Sequence, residues 1–164
     1  MRRVNYFLSP RGVIIARGVD DEAQIGYAVH EDGTVDEQTS ALVQENIELS
    51  YHTKGIGRRF FGRQFYSWMA LAGYSDIVYK YSIIDNLNMT PGEREDLFDY
   101  FFSFRKDFTE RLFLQDEQNQ EYALQHKKML KNLSDLKKNL INNELFYYML
   151  MSFAAVAKRY DVDS

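Results

Sequence analysis

The chain has 164 residues, of which 45% are hydrophobic and 15% aromatic, and this composition excludes intrinsic disorder and predicts a single domain over residues 1–164. It contains no cysteine, which excludes disulfide frameworks, thiolate zinc sites and cysteine nucleophiles. The formal net charge is −4, and the cysteine-free composition and the lack of an apolar N-terminal signal segment lead us to expect a cytoplasmic protein.

The first part of the chain, residues 1–36, is predicted to form a small antiparallel sheet of β-hairpins. Three alternating apolar residues are followed by a turn sequence, Ser9–Gly12, and by a second apolar run that starts at Val13. A second hairpin is expected between Gln24 and Val35, because Asp32-Gly33 is a strong signal for a two-residue turn. The alternating residues of the first strand are Val4, Tyr6 and Leu8.

The remainder, residues 37–164, is predicted to be helical. A short helix is expected after Thr39 or Ser40, either of which can cap it. A second helix is expected from Arg58 to Ala72, with Gly73 placed to end it. The side chains that this helix is expected to bury are Phe61, Phe65, Trp68, Met69 and Ala72.

Residues 75–89 fit a helix and a strand equally well by periodicity, and a cap signal at Ser75-Asp76 favours the helix. The next helix start is clearer, because Thr90–Glu93 combines a capping-box Thr and Glu with a proline in the first helical turn. The following helix is expected to pack on the C-terminal one through a face that consists of Leu97, Phe101, Phe104, Phe108 and Leu112.

The C-terminal third carries the longest helical signal. Core candidates recur at alternating steps of four and three, which gives a heptad-like seam: Tyr122, His126, Met129, Leu133, Leu136 and Leu140. Asn142-Asn143 is the predicted break, because Asn is a weak helix former that tolerates the left-handed backbone found at helix ends. The apolar run from Leu145 to Ala157 is predicted to be a buried helix. The expected fold is therefore α+β and predominantly helical, with a small N-terminal antiparallel β-hairpin sheet followed by a helical bundle with a long C-terminal helical hairpin.

Charged residues are segregated along the chain. Residues 1–17 and 51–66 contain basic residues and no acid, whereas residues 20–50 contain nine acids and no Lys or Arg. Such segregation is consistent with internal ion pairing or with a field that faces a partner. The lysines of the C-terminal third lie off the seam and are interpreted as a solvated helix face: Lys127, Lys128, Lys131, Lys137 and Lys138.

A basic segment with two glycines, Lys54 to Phe61, overlaps the RNP1 pattern of RNA-recognition folds at its first, second, fourth and eighth positions. Ile56 and Arg58 occupy the third and fifth positions, where that pattern has the aromatic rings on which bases stack. The segment is not a dinucleotide fingerprint either, because Phe60 stands where the third glycine belongs. We therefore claim no family resemblance, although basic residues interleaved with aromatic ones are a candidate nucleic-acid surface.

No catalytic or metal-binding motif is found in the sequence. The signatures of serine nucleophiles and of the P-loop are missing. The three histidines, His30, His52 and His126, are widely separated and lack the spacing of metal ligands, so we expect no metal and no cofactor. Nothing in the sequence argues for enzymatic activity, and the third hypothesis, an enzyme, would require a polar cleft with titratable groups of perturbed pKa.

Two functions are consistent with these patterns. The first is a small protein-binding or inhibitory protein, of the immunity, antitoxin or phage-inhibitor class. An acidic surface would steer it to a basic surface on another protein, and aromatic side chains would anchor it there. The residues expected to bind this partner are Tyr27, Asp32, Asp36, Glu37, Glu45, Glu48 and Tyr51.

The alternative is a nucleic-acid-binding accessory or regulatory protein that uses the basic segments Arg2–Arg17 and Lys54–Arg63. Its affinity would fall steeply with salt, because each neutralised phosphate releases counterions. Neither hypothesis involves a membrane, and the seam allows a homodimer through the C-terminal helices, although burial within the chain is preferred. The residues expected to bind nucleic acid are Arg2, Arg3, Arg11, Lys54, Arg58, Arg59 and Arg63.

Overall fold

The computed structural model describes residues 12–51 and 61–159. The elements in this part of the chain are β1 (Val13–Ala28), α1 (Glu37–Tyr51), α2 (Phe61–Leu71), β2 (Tyr74–Asp85), α3 (Pro91–Phe98), a π-helical turn (Asp99–Ser103), α4 (Phe104–Gln115), α5 (Gln120–Asn142) and β3 (Phe146–Arg159). The chain is α+β, and its long strands form an antiparallel sheet in the order β1-β3-β2.

The strands are not confined to the N-terminal region, so the expected hairpin sheet followed by a helical bundle is wrong. The largest correction concerns the apolar run that was expected to be the second C-terminal helix, which is the central strand β3. A continuous apolar run fits a strand and a buried helix equally well, so periodicity does not decide between them. The aromatic residues of β3, at Phe146, Tyr147, Tyr148 and Phe153, are a better indicator, because such side chains fit the pleated surface of a sheet.

The segment after α2, expected to be a helix, is the strand β2. The cap signal at Ser75-Asp76 is misleading, because Asp76 adopts a left-handed backbone with φ 49° near the start of the strand. Gly73 ends α2 as predicted, with φ 81° and a hydrogen bond from its amide to the Ala70 carbonyl. The chain therefore turns directly from α2 into the sheet.

The described part of the N-terminal region forms one long strand, β1, in place of the expected hairpins. The first predicted strand, from Val4 to Leu8, lies outside the described residues. The predicted turn at Asp32-Gly33 is present, with Gly33 at φ 82°. It is flanked by a single bridge between Val29 and Val35 and not by a second full strand.

Two compact units are found among the described residues. The sheet unit comprises residues 12–23, 61–84 and 150–159, and the helical unit comprises residues 24–51 and 85–149. The single domain expected from the chain length stays a prediction. No helix in the described ranges combines the length and the apolar character needed to cross a membrane.

In the sheet unit, α2 packs on one face of the strands. Phe65 and Met69 are four residues apart on the same side of α2 and are fully buried. The Phe65 ring lies 6.1 Å from the ring of Phe153 on β3. The buried cluster consists of Phe65, Met69, Tyr74, Phe153, Ala155 and Ala157.

In the helical unit, α5 packs against α1, α3 and α4. The predicted seam is confirmed, because Met129, Leu136 and Leu140 are fully buried on this side of α5. The helix ends at Asn142 as predicted, but its cap residue, Asn143, has an extended backbone with φ −98° and not a left-handed one. A homodimer through the C-terminal helices stays a prediction.

The helix predicted to start at Thr90 begins there with the expected capping box. The Thr90 hydroxyl accepts a hydrogen bond from the Glu93 amide, and the Glu93 carboxylate accepts one from the Thr90 amide at 2.8 Å. The hydrogen bonds from Thr90 hold the pKa of Glu93 below its ordinary value. Pro91 occupies the first helical turn, where its missing amide proton costs nothing.

The phenylalanine face predicted for this helix is altered by the π-helical turn Asp99–Ser103. A π-helix holds more residues per turn than an α-helix, so it rotates the turns that follow it. Arg105 and Thr109 are consequently buried, whereas Phe104 and Phe108 are only half-buried. A strict α-helical period does not anticipate this change of face.

Candidate partner-binding surface

The acidic segment begins in the turn between β1 and α1. The carboxylate of Asp32 accepts hydrogen bonds from the amide (2.9 Å) and the hydroxyl (2.6 Å) of Thr34. These bonds favour the charged form, so they hold the pKa of Asp32 below its ordinary value. The His30 amide donates to the Thr34 carbonyl at 2.8 Å and closes the turn. Asp32 therefore presents an ionised carboxylate to solvent in a fixed position.

Asp36 caps α1, which corrects the expectation of a cap at Thr39 or Ser40. Its carboxylate accepts a hydrogen bond from the Thr39 amide at 3.0 Å, at the helix end where negative charge is favoured. The hydrogen bonds from Thr39 hold the pKa of Asp36 below its ordinary value. Ser40 has a different role, because its hydroxyl accepts a hydrogen bond from the Ala28 amide at 2.8 Å. This bond ties the start of α1 to the end of β1.

The strand β1 and the helix α1 approach each other closely at Gly26. A Cβ atom at this position would lie 2.8 Å from Cγ2 of Val43 and 3.1 Å from the carbonyl oxygen of Ser40. Real Cβ atoms essentially never come as close as the first of these distances. The missing side chain at Gly26 therefore lets α1 rest on the strand with its apolar side inward.

The opposite side of α1 carries the remaining predicted acids. Glu37, Glu45 and Glu48 are exposed, whereas Val43 and Ile47 are buried. The first and the last of these acids lie about 16 Å apart along the helix axis, at ~1.5 Å per residue. Within the described ranges, no lysine or arginine forms an ion pair with any of the five predicted acids.

The acidic block of the sequence thus divides into two parts with different surroundings. Asp20 and Asp21, in the sheet unit, are buried and engaged by other groups of the protein. The acids from Asp32 to Glu48, in the helical unit, lie at the surface. Internal interactions therefore account for the first part of the block, and a field that faces solvent accounts for the second.

A cleft of about 460 Å³ lies between α1 and α5. Glu45 and Glu48 line it from α1, and Lys128 and Lys131 line it from α5. The cleft therefore carries both signs of charge, which the sequence interpretation of these lysines as a uniform solvated face misses. Its lining consists of Gln38, Leu42, Glu45, Glu48, Leu49, Lys128, Lys131, Asn132 and Asp135.

A pair of buried asparagines joins the two helices beside this cleft. Asn46 Nδ2 donates to Asn132 Oδ1 at 2.7 Å. The Nδ2 group of Asn132 donates to the Leu42 carbonyl at 3.0 Å and lies 3.4 Å from a carboxylate oxygen of Glu45. These bonds fix the position of α1 along α5 and so fix where Glu45 stands. The sequence pattern gives no signal for the pair, because Asn132 directly precedes the seam residue Leu133 and is not itself a seam position.

The two tyrosines expected to anchor a partner belong to different elements. Tyr27 lies near the end of β1 and is 46% exposed. Tyr51 is the last residue of α1, and its side chain lies outside the described residues. The structure therefore places the predicted residues in a turn group around Asp32 and Asp36 and a cleft group around Glu45, with Tyr27 as a separate exposed ring.

Most residues of the alternative nucleic-acid hypothesis lie outside the described residues: Arg2, Arg3, Arg11, Lys54, Arg58 and Arg59. Arg63 lies in α2, but its side chain is also outside them. Within residues 12–51 and 61–159, no group of three or more His, Asp or Glu side chains is arranged to hold a metal ion.

The candidate surface is thus an acidic turn and helix face beside a cleft of mixed charge. No protein-family model matches the sequence, and no curated protein matches it significantly.

Proposed function

We propose that this chain is a protein-binding protein that recognises a basic surface of another protein through its acidic surface, Asp32 to Glu48. The proposal places it in the class of inhibitors, immunity proteins and antitoxins, which act by stoichiometric binding. The observation that supports it is the set of carboxylates at the surface of the turn and of α1, none of which is ion-paired among the described residues. A cytoplasmic location is part of the proposal, and cell fractionation tests it.

Two physical features favour recognition by this surface. Carboxylates without internal ion pairs attract a basic partner directly, because no existing ion pair has to be broken first. Such attraction raises the association rate. The carboxylates of Asp32 and Asp36 are already held by Thr34 and Thr39. Binding therefore loses little side-chain freedom at these two positions, which improves affinity.

The cleft between α1 and α5 adds specificity. A partner that inserts a basic group would have to direct it toward Glu45 and Glu48 and away from Lys128 and Lys131. Like charges brought together in an interface cost several kcal/mol in typical cases, so the two lysines would reject a misplaced basic group. An elongated basic segment with an acidic group at one side would match both walls.

The experiment is a capture from the native lysate with immobilised protein, compared among three forms. The first is the wild type, the second carries Glu45→Lys and Glu48→Lys, and the third carries Glu117→Lys and Glu144→Lys. The last two residues are exposed and lie away from the cleft lining, and both double variants change the net charge by the same amount. Circular dichroism checks that all three forms are folded.

We expect one protein to bind the wild type and the Glu117→Lys/Glu144→Lys control, and this binding should survive nuclease treatment. The affinity of that protein for the Glu45→Lys/Glu48→Lys variant should be at least tenfold lower. Its affinity should also fall as salt screens the exposed charges. Equal binding to all three forms would contradict the role of Glu45 and Glu48. Recovery of nucleic acid alone, only at low salt, would support the alternative function instead.

A further inference from the structure

Among the described residues, the strand β2 forms one edge of the sheet. It stands at one end of the order β1-β3-β2, with no further strand beside it in the described part of the chain. Val78, Tyr81 and Ile83 are 57%, 60% and 63% exposed; Val78 lies on one face of the sheet, and Tyr81 and Ile83 lie on the other. An exposed edge of β-branched and aromatic residues without proline presents unpaired N–H and C=O groups that another strand can bond.

The register of β2 on β3 is continuous from residue 76 to residue 86. From one contact to the next, the position moves six and then four residues forward along β2. It moves the same number of residues back along β3. This constant offset is the behaviour of an antiparallel pair. The contacts are Asp76 with Lys158 (3.4 Å), Ser82 with Ser152 (3.4 Å) and Asn86 with Tyr148 (3.1 Å).

This register shows which backbone groups point away from the sheet. The backbone hydrogen bond from the Asn86 amide to the Tyr148 carbonyl places the even-numbered residues of β2 in hydrogen-bonded pairs with β3. The N–H and C=O groups of the odd-numbered residues therefore point to the free edge. These residues are Ile77, Tyr79, Tyr81 and Ile83.

We propose that β2 pairs in antiparallel fashion with β2 of a second copy of this chain, about a two-fold axis that passes through Val78. The two charged residues in the stretch from Tyr74 to Ile84, Asp76 and Lys80, have opposite sign and lie at equal distances on either side of Val78. The axis brings Asp76 opposite Lys80 of the second copy, and the same ion pair forms twice. The strand is therefore complementary to itself in charge.

The backbone agrees with this axis. Ile77 and Tyr79, whose N–H and C=O groups face the free edge, form the hydrogen-bonded pairs of the new contact. Val78, Asp76 and Lys80 then occupy non-hydrogen-bonded pairs, in which facing Cα atoms are only about 4.5 Å apart and side chains are closest. A parallel pairing in register would instead place Asp76 against Asp76.

The carboxylate of Asp76 is accessible for this contact. It lies 3.4 Å from the Lys158 ammonium within the chain, and both side chains are more than half exposed. A carboxylate has lone pairs for more than one donor, so it can accept from Lys158 and from Lys80 of the second copy. The left-handed backbone of Asp76 ends the regular part of the edge, and the long lysine side chain reaches it.

The absence of cysteine makes a cross-linking test specific. In the proposed dimer, Val78→Cys places two thiols on the axis, within the Cα separation of about 4.4–6.8 Å that a disulfide spans. Ile83→Cys is the matched control on the same exposed edge, because the two copies of residue 83 would lie about 33 Å apart along the strands at ~3.3 Å per residue. Mild oxidation should link V78C into dimers and leave I83C unlinked. Equal linking of both variants, or of neither, would overturn the proposal.

Sedimentation or light scattering provides a second test that does not depend on a new thiol. The wild type should show twice the chain mass of 19.4 kDa at sufficient concentration. Lys80→Glu places like charges opposite each other twice and should weaken the dimer by roughly tenfold. Adding Asp76→Asn to this variant removes the repulsion and should restore association. Asn is chosen because it tolerates the left-handed backbone of this position. A wild type that is monomeric at every concentration, or a double variant as weak as K80E, would contradict the pairing.

Discussion

The close contact between β1 and α1 at Gly26 can be tested by adding one methyl group. In Gly26→Ala the new Cβ would lie 2.8 Å from Val43 Cγ2 and 3.1 Å from the Ser40 carbonyl oxygen. Overpacking of this kind typically costs about 1–3 kcal/mol. The smaller conformational freedom of the unfolded chain offsets about 0.4–1 kcal/mol of that cost. We therefore expect G26A to lower the free energy of unfolding by about 1–2 kcal/mol.

A double-mutant cycle separates this clash from other effects. Val43→Ala removes Cγ2 and should by itself cost about 2 kcal/mol, because Val43 is buried. The combined variant G26A/V43A should be less destabilised than the sum of the two single variants by about 1 kcal/mol, since residues in contact do not act additively. Urea denaturation followed by circular dichroism gives the four free energies.

Gly92 supplies the matched control. It lies in the first turn of α3, and a Cβ added there meets no atom within 4 Å. Gly92→Ala should leave stability unchanged or raise it by up to about 1 kcal/mol, the helix propensity difference between the two residues. If G26A were as stable as the wild type, or if the cycle showed no coupling to Val43, the close approach of α1 to the strand would be refuted.

Three further predictions concern titration and buried polar groups. The pKa of Asp36 in the folded protein is lowered from 3.8. The stability that its ionised form contributes is therefore present above that value and is lost as the pH falls through the lower folded pKa. Urea midpoints measured between pH 2.5 and 5.5 should fall on acidification, and they should fall less steeply in Asp36→Asn. Burial raises the pKa of Tyr79 to about 12, so Tyr79→Phe should remove a late component from an alkaline absorbance titration. The same variant should not lower the unfolding free energy, because the buried Tyr79 hydroxyl has no hydrogen-bond partner among the described residues. Asn132→Leu leaves the Asn46 amide without its closest acceptor and should cost about 2 kcal/mol in urea denaturation, while the double change with Asn46→Leu should recover part of the loss.

The features that the sequence predicts correctly depend on local chemistry. The capping box at Thr90, the helix end at Gly73 and the break at Asn142 each follow from one or two residues whose backbone preferences are strong. The seam of α5 follows from a helical period sustained over five turns. In each case the neighbours in sequence determine the outcome, so no knowledge of distant contacts is needed.

The features that it misses depend on distant parts of the chain. β3 is the central strand of the sheet, a position that depends on two strands distant in sequence, and its continuous apolar run does not reveal a strand by periodicity. The π-helical turn that buries Arg105 leaves no signal in an apolar pattern. The same limit applies to the candidate site: its acids are visible in the sequence, but the cleft that Glu45 and Lys128 line from two different helices is not.

The helix that carries the acidic surface is held by a charged group at each end. Asp36 accepts from the first turn of α1, and the buried Arg105 guanidinium donates to the hydroxyl of Ser50 in its last turn. A carboxylate with a lowered pKa and a guanidinium, which keeps its proton under ordinary conditions, both stay charged from mild acid to strong alkali. Both end contacts of α1 therefore keep their charge over this range, so the geometry with which the helix displays its acidic surface stays constant.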